Sequence, residues 1–63
     1  MEAYQQRVVE EKAALDEKIE KLKAFLETER FCALPEAEQF RMTRQLEVMR
    51  EYSKILNDRI DAF

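Results

Sequence analysis

The stretch RMTRQLEVMREYSKILNDRI, Arg41 to Ile60, contains no glycine and no proline, and its apolar residues return at steps of four and three. Met42, Leu46, Met49, Ser53, Leu56, Ile60 and Phe63 make one row at that spacing, the pattern of a helix face turned towards a partner. Val48, Tyr52 and Ile55 flank the row, so the apolar face is wider than one partner helix covers. The segment also carries five arginine or lysine residues.

Working back towards the N-terminus, the same rhythm recurs. Met1, Gln5, Val8, Lys12, Leu15, Ile19, Leu22 and Leu26 alternate steps of four and three, a heptad seam interrupted by Gln5 and Lys12. A second row of mixed chemistry, Tyr4, Glu11, Lys18 and Phe25, lies beside it at seven-residue spacing. The β-branched pair Val8 and Val9 leaves open an early break that would set off a short N-terminal helix.

Between the two seams, TERFCALPEAEQF (Thr28–Phe40) breaks the periodicity. Pro35 followed by Glu36 and Glu38 reads as a helix start, with proline at the first helical position and the acids at the positive end of the dipole. The turn is therefore expected near Phe31 to Leu34. Two helices of roughly 28 residues, each about 40 Å long, must then fold back on one another as an antiparallel hairpin. Phe31, Leu34 and Phe40 are expected to plug its closed end. The fold class is all-α, one helical-hairpin domain over residues 1–63.

A 63-residue chain is in the range where a single core rarely supplies more than about 3–5 kcal/mol unaided. One cysteine and no histidine remove disulfide and metal staples, which leaves self-association into a homo-oligomer as the expected supplement. Cys32, between the helical segments, reads as a small apolar packer and not as a nucleophile. No apolar run approaches the roughly 18 residues of a membrane span, and the start of the chain lacks the basic-then-apolar plan of a signal peptide. A cytosolic location follows as the expectation, without a membrane partner. The net charge of −3 gives no global attraction to DNA, so any anion site has to be local.

Residues for the common catalytic chemistries are missing. There is no histidine to act as base or ligand and no glycine-rich phosphate loop. The acid pairs Glu10–Glu11 and Asp16–Glu17 are sequence neighbours, and neighbours on a helix point about 100° apart, so neither pair converges on a metal or a substrate. The reading is a non-enzyme without cofactor or metal. Most charges have helical partners three or four residues away, as in Glu17 with Lys21, Glu47 with Arg50 and Lys54 with Asp58. Arg41 and Arg44 are less easily neutralised and are candidates for an anion pocket.

Tyr4 and Lys18 stand two heptads apart on one row, about 21 Å along a helix, too far to share one small ligand within a chain. If two chains pack head to tail, Tyr4 of one approaches Lys18 of the other. An aromatic plane and a cation at a shared interface suit a planar base and a phosphate. The competing reading has Tyr4 capping a packed helix end and Lys18 in solvent.

The strings QQRVVEEKAALDEKIEKLKAFL (Gln5–Leu26), LPEAEQFRMTRQLEVMREYSKIL (Leu34–Leu56) and NDRI (Asn57–Ile60) resemble the phage anti-CBASS protein 2 family of small helical cyclic-oligonucleotide sponges. The resemblance runs from about Gln5 to Ile60 and implies a stoichiometric binder: helical hairpins packed into a homohexamer that buries cyclic di- and trinucleotide messengers, cyclic GMP-AMP among them, between protomers. It implies an aromatic near the N-terminus and a lysine on the first long helix in the dinucleotide pocket, matched here by Tyr4 and Lys18. It also implies an arginine near the end of the second helix in a trinucleotide pocket, matched by Arg59; Arg41 and Arg44, picked out above by their charge surroundings and not by the resemblance, are further candidates for a second anion pocket. The implied role is to block CBASS signalling in the host bacterial cytoplasm. The alternative is a non-catalytic helical oligomer whose wide apolar face holds another protein.

Overall fold

A computed structural model describes every residue from Met1 to Phe63. It is an antiparallel hairpin of two long helices, α1 (Ala3–Leu26) and α3 (Glu36–Asp61), joined through a one-turn helix α2 (Glu29–Cys32). Its extents are 46 × 14 × 13 Å. No helix is long and apolar enough to cross a membrane.

α1 begins where the backbone N–H of Glu2 donates to Gln5 Oε1 at 2.8 Å, which satisfies a donor that the first turn leaves unpaired. The helix then runs unbroken through Val8 and Val9, so there is no separate N-terminal helix. Val8 is buried, and its packing against the partner helix outweighs the modest helical penalty of a β-branched side chain.

The short extra helix lies in the connection instead. Thr28 creates it: its hydroxyl donates to the Phe25 carbonyl at 2.7 Å, closing α1, and accepts from the Phe31 N–H at 3.3 Å, opening α2. α1 consequently ends at Leu26, the last residue of its seam, and stops short of the turn expected near Phe31 to Leu34. Pro35 sits one position outside α3, with extended ψ of 144°, and its carbonyl accepts from the N–H groups of Glu38 and Gln39 at 2.9 and 3.0 Å. Glu36 and Glu38 occupy the first turn of α3, where the helix dipole favours them.

Phe25 and Phe31 meet edge to face at 6.3 Å to fill the closed end, and Leu34 is half-buried there. Phe40 does not join them; it is 73% exposed. Gln39 occupies the inward position, donating from its amide to the carbonyls of Cys32 (3.2 Å) and Leu34 (2.9 Å), which α2 and the turn would otherwise leave unpaired. The next residue on the helix is rotated about 100° away, which turns Phe40 outward. Cys32 is likewise an exposed thiol and not a packer.

The two seams face each other. Val8, Ile19, Leu46 and Leu56 are buried, Leu56 completely, and Leu15, Leu22, Leu26, Met42, Met49 and Ile60 are half-buried around them. The seam frays at the open end of the hairpin, where Met1 and Phe63 are exposed. Two of its polar interruptions, Lys12 and Ser53, converge on Asp16: Lys12 Nζ lies 2.6 Å from Asp16 Oδ2, and Ser53 Oγ donates to Asp16 Oδ1 at 2.6 Å. The hydrogen bonds from Lys12 and Ser53 hold the Asp16 carboxyl below its ordinary pKa, against the opposing cost of partial burial. A polar layer of this kind fixes one register between two otherwise apolar helices.

Candidate functional site

Seven-residue spacing keeps Tyr4, Glu11 and Lys18 on one flank of α1, beside the packed seam. On α3, Arg41, Gln45, Val48, Tyr52, Ile55 and Arg59 follow one another at steps of four and three and form a second row beside the core row. The hairpin places the two rows side by side, and the structure joins them at two points. Tyr4 meets Phe63 edge to face at 5.8 Å, and the Tyr52 hydroxyl donates to Glu11 Oε2.

One face of the molecule therefore carries Tyr4, Lys18 and Arg59 around an exposed apolar centre of Val48, Tyr52 and Ile55. Lys18 and Arg59 are both exposed and neither is in an ion pair. Arg59 is near enough to Tyr52 for its charge to act on the phenol, but the bond to Glu11 dominates and holds the Tyr52 pKa above its ordinary value. Such a face offers aromatic planes, free cations and one carboxylate, suited to a ligand with planar rings and anionic groups.

Arg41 and Arg44 are not left without partners. Arg41 lies 2.9 Å from Glu38 and Arg44 3.5 Å from Glu47, all on the exposed surface of α3. Glu47 thus takes Arg44 in place of Arg50, and no Lys54–Asp58 ion pair forms, whereas Lys21 pairs with Glu17 at 3.1 Å. Within one chain Arg59 stands about 27 Å from Arg41 and about 22 Å from Arg44 along the helix, so a single hairpin does not gather the three into one pocket. The separation of Tyr4 from Lys18 is likewise spanned by one continuous α1.

The neighbouring acids diverge as helical geometry requires. Glu11 accepts from Tyr52 while Glu10 accepts from Gln6, and Asp16 holds Lys12 and Ser53 while Glu17 holds Lys21. No group of three or more acidic or cysteine side chains comes together as a metal site. On the opposite flank, Lys12, Ser53, Lys54, Asn57 and Asp58 line a shallow groove of about 260 Å³. With Asp16 at its edge, two lysines and two aspartates make it nearly neutral, and it selects no ligand charge.

Sequence reasoning missed the Tyr52–Glu11 and Tyr4–Phe63 contacts. Both depend on which residues of α3 stand level with which of α1, and that register is set by the turn. Compared with known proteins, the chain is matched over residues 2–62 by the family model described as Sequestin. No curated protein and no solved structure gives a match.

Proposed function

The chain belongs to the Sequestin family, and on that premise we propose that it is a sponge, holding cyclic dinucleotides between protomers of a homo-oligomer without cleaving them. The family name points to sequestration, and the resemblance to the anti-CBASS protein 2 family supplies the ligand class. The observation that carries the reading is the single face on which Tyr4 and the unpaired cations Lys18 and Arg59 surround an uncovered apolar centre.

In this reading Tyr4 stacks on a base, a contact worth about 1–3 kcal/mol, and Lys18 of a neighbouring protomer pairs with a phosphate. Arg59 serves a second pocket for cyclic trinucleotides, joined there by Arg41 or Arg44 of other protomers. Binding from two chains suits a cyclic dinucleotide, whose own near-twofold shape presents similar groups to each. Removing the messenger in the bacterial cytoplasm starves CBASS effectors of their activator, and the host gains nothing by making more until the sponge is saturated.

The test is thermal unfolding with excess cyclic GMP-AMP, cyclic tri-AMP or linear AMP. A ligand that binds only the folded state at a hundred times its Kd adds about 2.7 kcal/mol of stability. The expected result is a large upward shift in Tm with the cyclic dinucleotide, recovered chemically intact, and none with AMP. No shift with any cyclic nucleotide overturns the assignment.

A further inference from the structure

The face that carries Tyr4 and Lys18 has one feature that phosphate binding does not call for, the Glu11 carboxylate midway along its row. Tyr4 and Lys18 each stand seven residues from it, about 10.5 Å along α1. A base stacked on Tyr4, or a nucleotide held at Lys18, therefore lies within two helical turns of the acid. Glu11 is exposed and pairs with no cation. Arg7, one turn back and its natural helical partner, makes no ion pair with it, whereas Asp16, Glu17, Glu38 and Glu47 each hold a lysine or arginine. A free negative charge at this place repels the phosphates that Lys18 attracts. An amide would serve the Tyr52 hydroxyl equally well as an acceptor without that cost, so the cross-helix bond alone does not account for a carboxylate.

We infer that Glu11 reads the base: its carboxylate accepts from the N1–H and the N2 amino group of guanine, so that the protein prefers cyclic dinucleotides containing guanine to those built of adenine alone. The inference rests on the sponge reading and adds to it the residue that sets base preference. A carboxylate only accepts, through two oxygens with about four lone-pair sites between them. The Tyr52 hydroxyl takes one site on Oε2 and ties the side chain across the hairpin, which leaves Oε1 open and Oε2 able to accept once more. A long acid that would otherwise sweep through solvent is thereby held in one place before any ligand arrives.

Two adjacent oxygens match two adjacent donors. Guanine presents such a pair on its Watson–Crick edge, whereas adenine presents one amino donor beside the bare nitrogen N1. Set against adenine, the second oxygen meets a lone pair with a lone pair and loses the water that had solvated it. Tyr52 acts through the acid and is a positioning residue. The apolar centre of Val48 and Ile55 beside it excludes water from the contact once a ligand covers the face.

Calorimetric titration of the full chain with cyclic di-GMP and with cyclic di-AMP tests the inference. The wild type is expected to bind cyclic di-GMP at least about tenfold more tightly, as a two-bond base contact allows. Glu11→Gln keeps the size of the side chain and an acceptor for Tyr52, but offers one donor and one acceptor, the pattern that suits adenine; the preference is expected to vanish or reverse. Tyr52→Phe frees the acid and is expected to narrow the preference without reversing it. Circular dichroism checks that each variant keeps the helical hairpin. Equal affinities in the wild type, or a preference unchanged in Glu11→Gln, overturn the role of Glu11 and leave the sponge standing. An equal gain for both ligands in Glu11→Gln overturns it too, since the acid would then act only as a repelling charge. Binding of neither ligand, nor of cyclic GMP-AMP, by the wild type overturns the sponge and this inference together.

Discussion

The Tyr52 hydroxyl donates to the Glu11 carboxylate across the hairpin, joining positions 41 residues apart on a face otherwise lined by apolar and cationic side chains. The bond keeps Tyr52 protonated beyond its ordinary range, since the phenolate would lie against an anion. A group whose folded pKa is raised contributes stability below its unfolded value of 10.0 and loses it as pH rises through the folded value. Urea unfolding is therefore expected to show stability falling above pH 10, and Tyr52→Phe is expected to flatten that decline. An unchanged alkaline limb in Tyr52→Phe would show that the bond contributes nothing in solution.

Asp16 has the opposite sign. Lys12 and Ser53 lower its pKa from 3.8, so its contribution is present above that value and is lost as pH falls through the lower folded value. Asp16→Asn is expected to be less stable than wild type at neutral pH, with the two converging in acid as the wild-type carboxyl protonates. The difference in urea midpoint between pH 7 and pH 2.5 measures this, and a constant difference would mean that the layer acts through packing alone.

Ligand binding gives a cleaner separation. Lys18 is exposed and pairs with no acid in the hairpin, so Lys18→Ala is expected to leave helicity and Tm within about 0.5 kcal/mol of wild type. It is expected to reduce the thermal shift with cyclic GMP-AMP by at least the tenfold in affinity that a charge-assisted contact of about 1.5–3 kcal/mol represents. Arg44→Ala, whose guanidinium already faces Glu47, is the matched control and is expected to keep the shift. Full retention of binding by Lys18→Ala would remove Lys18 from the pocket.

The helices and their facing seams were legible because heptad spacing survives intact in both halves. The rows at Val8, Ile19, Leu46 and Leu56 pack as their phase requires. The turn was less legible, since a single Thr28 hydroxyl that both closes and opens a helix leaves almost no compositional trace, and it shortened α1 while creating α2. Phe40 misled because hydrophobicity alone suggested burial, whereas the carbonyls at the end of α2 required Gln39 in the inward place. The row of Tyr4, Glu11 and Lys18 on α1 was visible from spacing. Its junction with Tyr52 and Phe63 was not, because cross-helix level depends on the turn.

Leu56 and Phe40 provide a sharp contrast in burial. Leu56 is fully buried between the helices, and truncating such a leucine typically costs about 2–5 kcal/mol through lost transfer energy and a residual cavity. Since an isolated core of this size supplies about 3–5 kcal/mol, Leu56→Ala is expected to abolish the cooperative thermal transition of a hairpin that stands alone. In an oligomer, burial between chains adds stability that depends on concentration, so the same variant would fold at high protein concentration and melt on dilution. Phe40→Ser, at 73% exposure, is expected to stay within about 0.5 kcal/mol of wild type under both conditions. Circular dichroism of both variants over a hundredfold range of concentration decides between these cases. A Leu56→Ala melt independent of concentration would show that the hairpin carries its own stability, and a Phe40→Ser melt displaced with concentration would move the oligomer contact to the outer surface of α3.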